Sequence, residues 1–565
     1  MIFLYNIVKG ILMDCDAHNL FDEPTASTLP KRKKAGSQQV FKPYQQHQMM
    51  MLPPSLEELI PEHHVVRVVN QIIDGLNLAS LIGTYLGGGT SAYHPVMLLK
   101  VVIYAYVRKV YASRRIAKAL REDVNFMWLS GMSRPDFRTI IEFRSGRLKG
   151  VIEEVFGSTV VFLIEEKYID LSEYFVDGTK LRADSNRHKV VWAKNTKRYK
   201  QMVQEKIKAQ LTYIDQVAQE ENERYGDRDL EELGHESQLT SERVKEHVAK
   251  LNSTFNESKQ HTGSSISGSG GTAEGKNQNA IAKAVKEIET KLVPKLEKYE
   301  EQEKILAGRN SYSRTDPSAT VFRMKDGQLL PAYNILFGTQ RQFIVNYTLH
   351  QKKASENDAL IAHLEHGQKL LEQFPRLVMG DSAFGSEENY AFLAQHAIGN
   401  YLKYNTFHFE GTKKYRTNPY RKENFSYDST TDTYRCPEGR PLVFKETREV
   451  KTDNGYTIRV KIYQSINCDD CLVATLCKRG LSNRTIQINP TLDAYRAQAR
   501  ANLTSEKGLL LRKQRGVDVE PPIGDLKFNQ GYERCRLRGE NKVNVEIGLL
   551  SIAHNTKKVA QMSVN

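Results

Sequence analysis

A chain of 565 residues is too long for one hydrophobic core, and its 40% hydrophobic content is enough to build several. The formal net charge of +14 implies a polyanionic partner, although charge alone does not separate DNA, RNA and an anionic membrane. No stretch approaches the ~20 consecutive apolar residues of a spanning helix, and four of the six cysteines cluster, which in a reducing compartment suggests metal rather than disulfides.

The opening run, Met1 to Val8, is apolar but short, and Asn6 and Lys9 interrupt it. It lacks the basic start of a signal peptide, and Met13 is an alternative start, so a cytoplasmic protein is expected. Residues 1–40 mix Pro, Ser and Lys, including Pro30-Lys-Arg-Lys-Lys34, and read as a solvated, disordered tail.

Residues 41–165 read as a helical domain. Val65, Val68, Val69, Ile72 and Ile73 recur at three and four, as do Leu98, Val101, Val102 and Ala105, which is the spacing of a buried helix face. Ser113 is the expected N-cap of a helix carrying Arg114, Arg115, Lys118 and Arg121, and Pro135 is expected to open another with Phe137, Ile140, Ile141 and Phe143. Two short helices with a basic face fit a helix-turn-helix on DNA; a bundle with a charged outer face is the competing reading.

Residues 166–192 and 310–405 carry strand signals. The first run ends Tyr174-Phe175-Val176-Asp177. Strands follow at 319–324 and 343–349, then a helix with Leu360, Leu364 and Leu370, a strand Leu377-Val378-Met379-Gly380 into Asp381, a helix over 389–397 and a strand over 399–404. Three strands, helix, strand, helix, strand is the order of a ribonuclease-H-like sheet, whose first and fourth strands are neighbours. Asp177 and Asp381 are then expected to meet.

Residues 193–309 interrupt that core with two narrow stripes. Val203, Ile207, Leu211, Ile214 and Val217 form one; Ile281, Val285, Ile288, Leu292, Leu296 and Tyr299 form the other. A Gly/Ser-rich linker at 262–271 lies between them, so a helical hairpin is expected. Residues 406–505 hold Cys436-Pro-Glu-Gly, Cys468-Asp-Asp-Cys471 and Cys477. Four thiolates with a C-x-x-C pair suit a structural, tetrahedral Zn²⁺; buried free thiols in a small β-rich insertion are the other reading. Cys15 and Cys535 lack partners. Residues 506–565 carry Val519-Glu520-Pro521-Pro522, a helix start with Lys527 seven residues on, nearly two turns, so that both face one side. The fold class expected is α/β: a ribonuclease-H-like catalytic core, an all-α N-terminal domain, a helical-hairpin insertion and a small zinc-type insertion.

Two acids at strand ends and one at a helix start supply the hard oxygen ligands of a two-metal phosphoryl-transfer site. Taken singly, each has an ordinary reading as a turn former or N-cap. Asp518 competes with Glu520. Asp184, Glu387, Glu388, Glu540 and Glu546 are further nearby acids, Glu546 reading as part of a packing helix, and Asp358 is a candidate to support the second metal.

The segments Tyr174-Phe-Val-Asp-Gly-Thr-Lys180, Gly380-Asp-Ser-Ala-Phe-Gly-Ser-Glu-Glu-Asn-Tyr390 and Val517-Asp-Val-Glu-Pro-Pro-Ile-Gly-Asp-Leu-Lys527 resemble the three catalytic blocks of DDE-type bacterial insertion-sequence transposases. The resemblance is to the branch with a helical N-terminal domain and a cysteine-bearing insertion. Ala92-Tyr-His-Pro-Val96 to Lys100, with Ser113 to Leu120 and Arg134 to Ile140, resembles the N-terminal domain of the same family, so the likeness runs from about residue 41 to about 560. It implies Mg²⁺ or Mn²⁺ at Asp177, Asp381 and Glu520, with Lys527 as the basic partner. The implied reaction is cleavage of double-stranded DNA at element ends and transfer to target DNA, by a homo-oligomer at the nucleoid. The family pattern also places a Tyr and an Arg before the Glu. Arg512 and Arg515 are present here, but Leu511 stands where the aromatic is expected. A ribonuclease-H-like nuclease that cuts without joining, and an inactive DNA-binding derivative, are the alternatives.

Overall fold

The computed structural model describes residues 55–565 except 86–90, 226–238, 262–272, 352–356, 453, 479 and 564–565. The expected tail, the choice between Met1 and Met13, Cys15 and the Gly/Ser linker lie outside these residues. The N-terminal region is helical: α1 (Val65–Asp74), α2 (Ala79–Gly83), α3 (Pro95–Val107), α4 (Ser113–Glu122), α5 (Val124–Leu129), α6 (Phe137–Glu142) and α7 (Ile152–Glu165). Val66, Val69, Ile72 and Ile73 bury one face of α1, whereas α3 is apolar nearly all round and buried from Leu98 to Tyr106 except at Lys100.

Two expected caps are corrected. Ala112 occupies the cap of α4, and Ser113 is its first residue, with a buried hydroxyl that finds no hydrogen-bond partner. The sixth helix begins after Pro135, at Phe137, because the Asp136 carboxylate accepts the Thr139 N–H (2.8 Å) and satisfies the first turn.

The chain then enters β1 (Tyr174–Arg182) and β2 (Val190–Trp192). An arm follows: α8 (Ala193–Tyr225), α9 (Ser241–His261), α10 (Ala273–Glu287) and α11 (Val293–Leu306). The expected hairpin is thus incomplete. Leu239, Val244, Val248 and Leu251, on and just before α9, enter the same apolar cluster as the two expected stripes. A third helix covers the seam because two narrow stripes alone leave one flank of each helix wet.

The core continues through β3 (Ser311–Ser313), β4 (Thr320–Arg323), β5 (Leu329–Gln340), β6 (Phe343–His350), α12 (Leu360–Leu371), β7 (Leu377–Gly380), α13 (Glu387–Gln395) and β8 (Gly399–Leu402). The central sheet runs β4–β5–β1–β7–β8, with β6 also pairing β5. The first strand is antiparallel to β5 and parallel to β7, which is parallel to β8. Its two faces part company by the alternation of a strand. Tyr174, Val176 and Val378 enter the main core; Phe175 and Met379 join Leu503, Leu511 and Val519 on the other side.

The rest is α14 (Lys413–Arg416), a five-stranded antiparallel sheet of β9 (Ser426–Asp428), β10 (Thr433–Arg435), β11 (Pro441–Lys451), β12 (Thr457–Ser465) and β13 (Thr485–Ile488), and α15 (Ala474–Cys477) between the last two strands. It ends with α16 (Pro490–Thr504), α17 (Glu506–Asp518), α18 (Glu520–Gly524) and α19 (Glu540–Met562). The last helix runs through the middle of the molecule, against α3, α7 and β6. It is buried almost without break from Val545 to Thr556. Gly548 allows that approach: a Cβ there would stand 2.5 Å from Ile152 and 2.6 Å from the Tyr347 hydroxyl. Among the described residues no helix is long and apolar enough to cross a membrane.

Candidate active site

Strand register brings the first two acids together. Phe175 lies opposite Met379 in the parallel ladder, and Asp177 and Asp381 each stand two residues further on. Asp381 has left the strand, but its backbone remains extended. Both acids therefore share the face of Phe175 and Met379, on neighbouring strands about 4.8 Å apart. That face is covered by α16 and α17 through Leu503, Leu511 and Val519, which carries Glu520 to the same edge.

Arg515, on α17, ties the third acid in. Its guanidinium lies 3.3 Å from Asp177 and 3.9 Å from Glu520. The Asp177 side chain is 22% exposed and that of Glu520 63%. Asp177 Oδ1 accepts the Gly178 N–H (2.9 Å), and Asp381 Oδ1 accepts the Ala383 N–H (2.8 Å). Burial pushes the Asp177 carboxyl up; Arg515 and the Gly178 N–H pull it down, and the charges of Asp381 and Glu520 push it up again. Such mutual pressure is what a shared cation would relieve.

Lys527 reaches this edge from the other side. Between it and Glu520 the backbone makes a π-helical turn over Asp525–Asn529, and its Nζ donates to the Lys180 carbonyl (3.0 Å). The residue lines a groove of about 530 Å³ with Lys180, Arg182, Arg323, Lys325 and the exposed ring of Phe528. Burial pushes the ammonium down to about 8, and Lys325 adds to the shift. A polyanion bound in this groove is therefore expected to be held less tightly as pH rises through about 8, where the ammonium is discharged. Binding titrations on either side of that pH should show the fall in the wild type and not in Lys527→Arg, whose guanidinium stays charged.

The other acids separate from the site. Asp518 is buried and accepts from the Thr339 hydroxyl (2.7 Å) and the Gln342 N–H (3.2 Å). Asp184 pairs with Arg534 (2.6 Å) and Arg538 (2.9 Å). Glu387 accepts from Asn489 and Tyr456, and Glu388 from Asn454. Glu546 is fully buried in α19, and Glu540 opens that helix. Asp358 lies in a turn that touches Ser382–Phe384, just past Asp381. Leu511 is a core residue against Phe175 and Met379, and Arg512 lies over the Phe407 ring at 5.0 Å.

Lys403 is a residue that sequence reasoning misses. It follows β8 directly, and its N–H donates to the Gly380 carbonyl (3.3 Å), beside Asp381. Its only signal is its place at the end of the strand neighbouring that of Asp381.

Arg114, Arg115, Lys118 and Arg121 all lie on the exposed side of α4, opposite the buried Ile116 and Leu120. The Arg114 guanidinium sits 5.1 Å over Phe137 of α6, and Lys118 pairs with Glu122 at 3.6 Å.

Cys436, Cys468, Cys471 and Cys477 line one small cavity of about 20 Å³. The Arg484 N–H donates to the Cys468 sulfur (3.2 Å). Burial pushes the Cys477 thiol up, Arg484 opposes this, and the other three sulfurs add to it. Cys535 is buried elsewhere, in the main core.

Among the described residues, no group of three or more His, Cys, Asp or Glu side chains is drawn into a ready cation cage. At the acids, the Arg515 guanidinium stands between two of the carboxylates instead. The donor chemistry still discriminates: three carboxylates suit a hard cation of the Mg²⁺ or Mn²⁺ kind, and four thiols suit a softer one such as Zn²⁺.

Two family comparisons bear on the chain. Residues 435–560 match a family described as "Transposase DDE domain", and residues 54–146 one described as "Transposase domain (DUF772)". The first match contains Glu520 and Lys527; Asp177 and Asp381 lie outside both. None of the curated proteins compared with the chain matches it. Two matches, one towards each end of the molecule, describe the same kind of protein, and together they support a DDE-type insertion-sequence transposase.

Proposed function

We propose that this transposase cuts DNA at the ends of an insertion sequence and joins the freed ends to target DNA, using a ribonuclease-H-like core with Asp177, Asp381 and Glu520 at its centre. The observation that carries this is the strand register, which sets Asp177 and Asp381 side by side while Arg515 ties Glu520 to Asp177. The sheet order supports the fold reading. With the short β4 set aside, the sheet runs β6–β5–β1–β7–β8, and two antiparallel pairings followed by two parallel ones put the first and fourth of the remaining strands together, as a ribonuclease-H-like sheet requires.

Mg²⁺ or Mn²⁺ held by the three carboxylates would supply Lewis-acid activation of the attacking oxygen and charge stabilisation of the leaving one. The chain's own residues do the rest by position. Lys527 holds a non-bridging oxygen of the scissile phosphate, and the groove of Lys180, Arg182, Arg323 and Lys325 takes the backbone beyond it. Arg515 keeps the acids apart from one another before the phosphate arrives. In the first step water forms a bond to phosphorus and the 3′ oxygen leaves with a proton. In the second, that 3′-hydroxyl attacks a target phosphodiester and the target's own 3′ oxygen leaves. No covalent intermediate with the protein is needed.

The helical region 41–165 would read the element ends through Arg114, Arg115, Lys118 and Arg121, with Arg512 adding a phosphate contact from 506–565. A homo-oligomer on DNA, at the nucleoid in the cytoplasm, fits a reaction that handles two ends. The arm at 193–309 is assigned no task.

Duplexes bearing the inverted repeats that flank the gene test this. The expected products are a 3′-hydroxyl end and a joined strand, both dependent on divalent cation. Cleavage without joining would favour the nuclease alternative, and neither product would end the proposal.

The cysteine-bearing insertion, 406–505, is proposed to hold one structural Zn²⁺ at Cys436, Cys468, Cys471 and Cys477. Purified protein should contain about one zinc per chain, and Cys468→Ser should lose most of it, because three thiolates hold the ion less tightly than four. Equal metal content in the two proteins would remove zinc from the reading.

A further inference from the structure

The acid cluster has a cationic wall on the side away from Lys527 that the reaction above uses only in part. Lys403 is set beside Asp381 by the β7–β8 ladder, which pairs Gly380 with Leu402. Arg512 stands three residues before Arg515 on α17, held over the Phe407 ring. The charges of Arg515 and Arg512 both bear on Lys403, as do those of Asp381 and Glu520 with opposite sign. His408 faces Lys403 and Arg512 as well.

Among the described residues neither Lys403 nor Arg512 has a carboxylate within ion-pair distance. The nearby Glu410 is already taken by Arg500 (2.6 Å) and the Tyr404 hydroxyl (2.8 Å). A partly buried ammonium beside two guanidiniums is a poor choice for stability alone, since like charges in a low dielectric repel and burial strips their water. Asp381 and Glu520 offset part of this, but in the proposed reaction they are committed to the metal. An incoming monoanion with oxygen acceptors would satisfy the wall.

The geometry points to a second phosphate-binding site, built from Lys403 and Arg512 on the Asp381 side of the acids, that takes a DNA backbone phosphate flanking the one that reacts. The sheet order β1–β7–β8 sets Asp177, Asp381 and Lys403 in sequence, while Lys527 is held at the Lys180 carbonyl, three residues past Asp177 on β1. A single strand crossing that edge is gripped on both sides of its reacting phosphate, which fixes the line of attack. Lys403 acts here as a positioning residue. This inference rests on the DNA-cutting reading above.

The test uses the full chain and a duplex of the element end. Equilibrium binding is measured across a salt series for the wild type, Lys403→Gln, Lys403→Arg and Arg512→Gln. Lys403→Gln should lower the slope of log affinity against log salt by about 1, as should Arg512→Gln, and Lys403→Arg should restore it. In cleavage, KM should rise more than kcat falls. A duplex with an uncharged methylphosphonate next to the cleavage position should bind the wild type more weakly, and should carry no further penalty in Lys403→Gln. Unchanged slopes in both Gln variants, or the same methylphosphonate penalty with and without the lysine, would overturn the second site while leaving the parent reading intact. A wild-type chain that neither binds nor cuts the duplex would sink both. Melting curves of each variant show whether a loss comes from unfolding, and Arg512→Gln, changed on a different element, then decides the matter.

Discussion

Asp381→Asn is expected to lower strand cleavage by on the order of 10³-fold or more while leaving affinity for the duplex close to wild type. The substitution keeps the shape of the side chain and one acceptor, so the bond from the Ala383 N–H that caps the following turn survives. What it removes is a negative charge at the point where a divalent cation would be bound. Glu520→Gln should behave the same way, and with less risk to the fold, because the Glu520 side chain is 63% exposed. Nothing in either change touches α4, so a duplex-binding assay separates lost chemistry from lost recognition. A variant that cuts at the wild-type rate takes its residue out of the catalytic set.

The largest effect on stability is expected at Glu546. It is fully buried, and its Oε2 accepts the backbone N–H groups of Arg536 and Leu537, both at 3.0 Å. Burial pushes its carboxyl up, and the bonds from these N–H groups and the charge of Arg144 hold it down. Arg144 itself donates to the Tyr111 carbonyl at 2.6 Å, within the helical N-terminal region, and acts on Glu546 through its charge. Glu546→Leu would orphan two buried N–H groups at about 1–3 kcal/mol each and strip a buried guanidinium of a counter-charge. A loss of about 3–5 kcal/mol and a melting temperature lower by many degrees are expected. Glu546→Gln keeps one acceptor oxygen and should lie between. Equal melting of Glu546→Leu and wild type would show that the two N–H groups find other partners.

The sequence is most legible where a local rule and a long-range consequence coincide. Apolar runs ending in an acid mark the strands of Asp177 and Asp381, but Asp177 lies in mid-strand rather than at a strand end, since β1 continues to Arg182, and the antiparallel partner of β1 is the unexpected β5 rather than the strand expected at 319–324. The thiol spacing gathers four cysteines around one cavity. What stays hidden depends on tertiary contact. The helix α9 has a short apolar repeat with a low signal of its own, and it is held by the two stripes it covers. Ser113 has the chemistry of a cap, but the turn before it places Ala112 there instead. Glu520 and Asp518 are two residues apart and alike on paper; only the packing of α17 sends one toward Thr339 and the other toward Arg515. Lys403 is invisible because its meaning lies in the strand next door. Glu546 reads as an ordinary helix residue, since no local pattern announces which backbone amides will come to lie beside it.

The placement of α19 has a consequence for how the protein is made. This helix, translated long after the elements it joins, sits at the centre of the structure, with α3, α7 and β6 packed around it. At ribosomal speeds of ~5–20 residues per second, Asp177 waits on the order of tens of seconds for Glu520 to appear, and the scaffold waits longer still for its central rod. A chain released before α19 is made would therefore leave the packing faces of α3, α7 and β6 uncovered. It would be open to proteases.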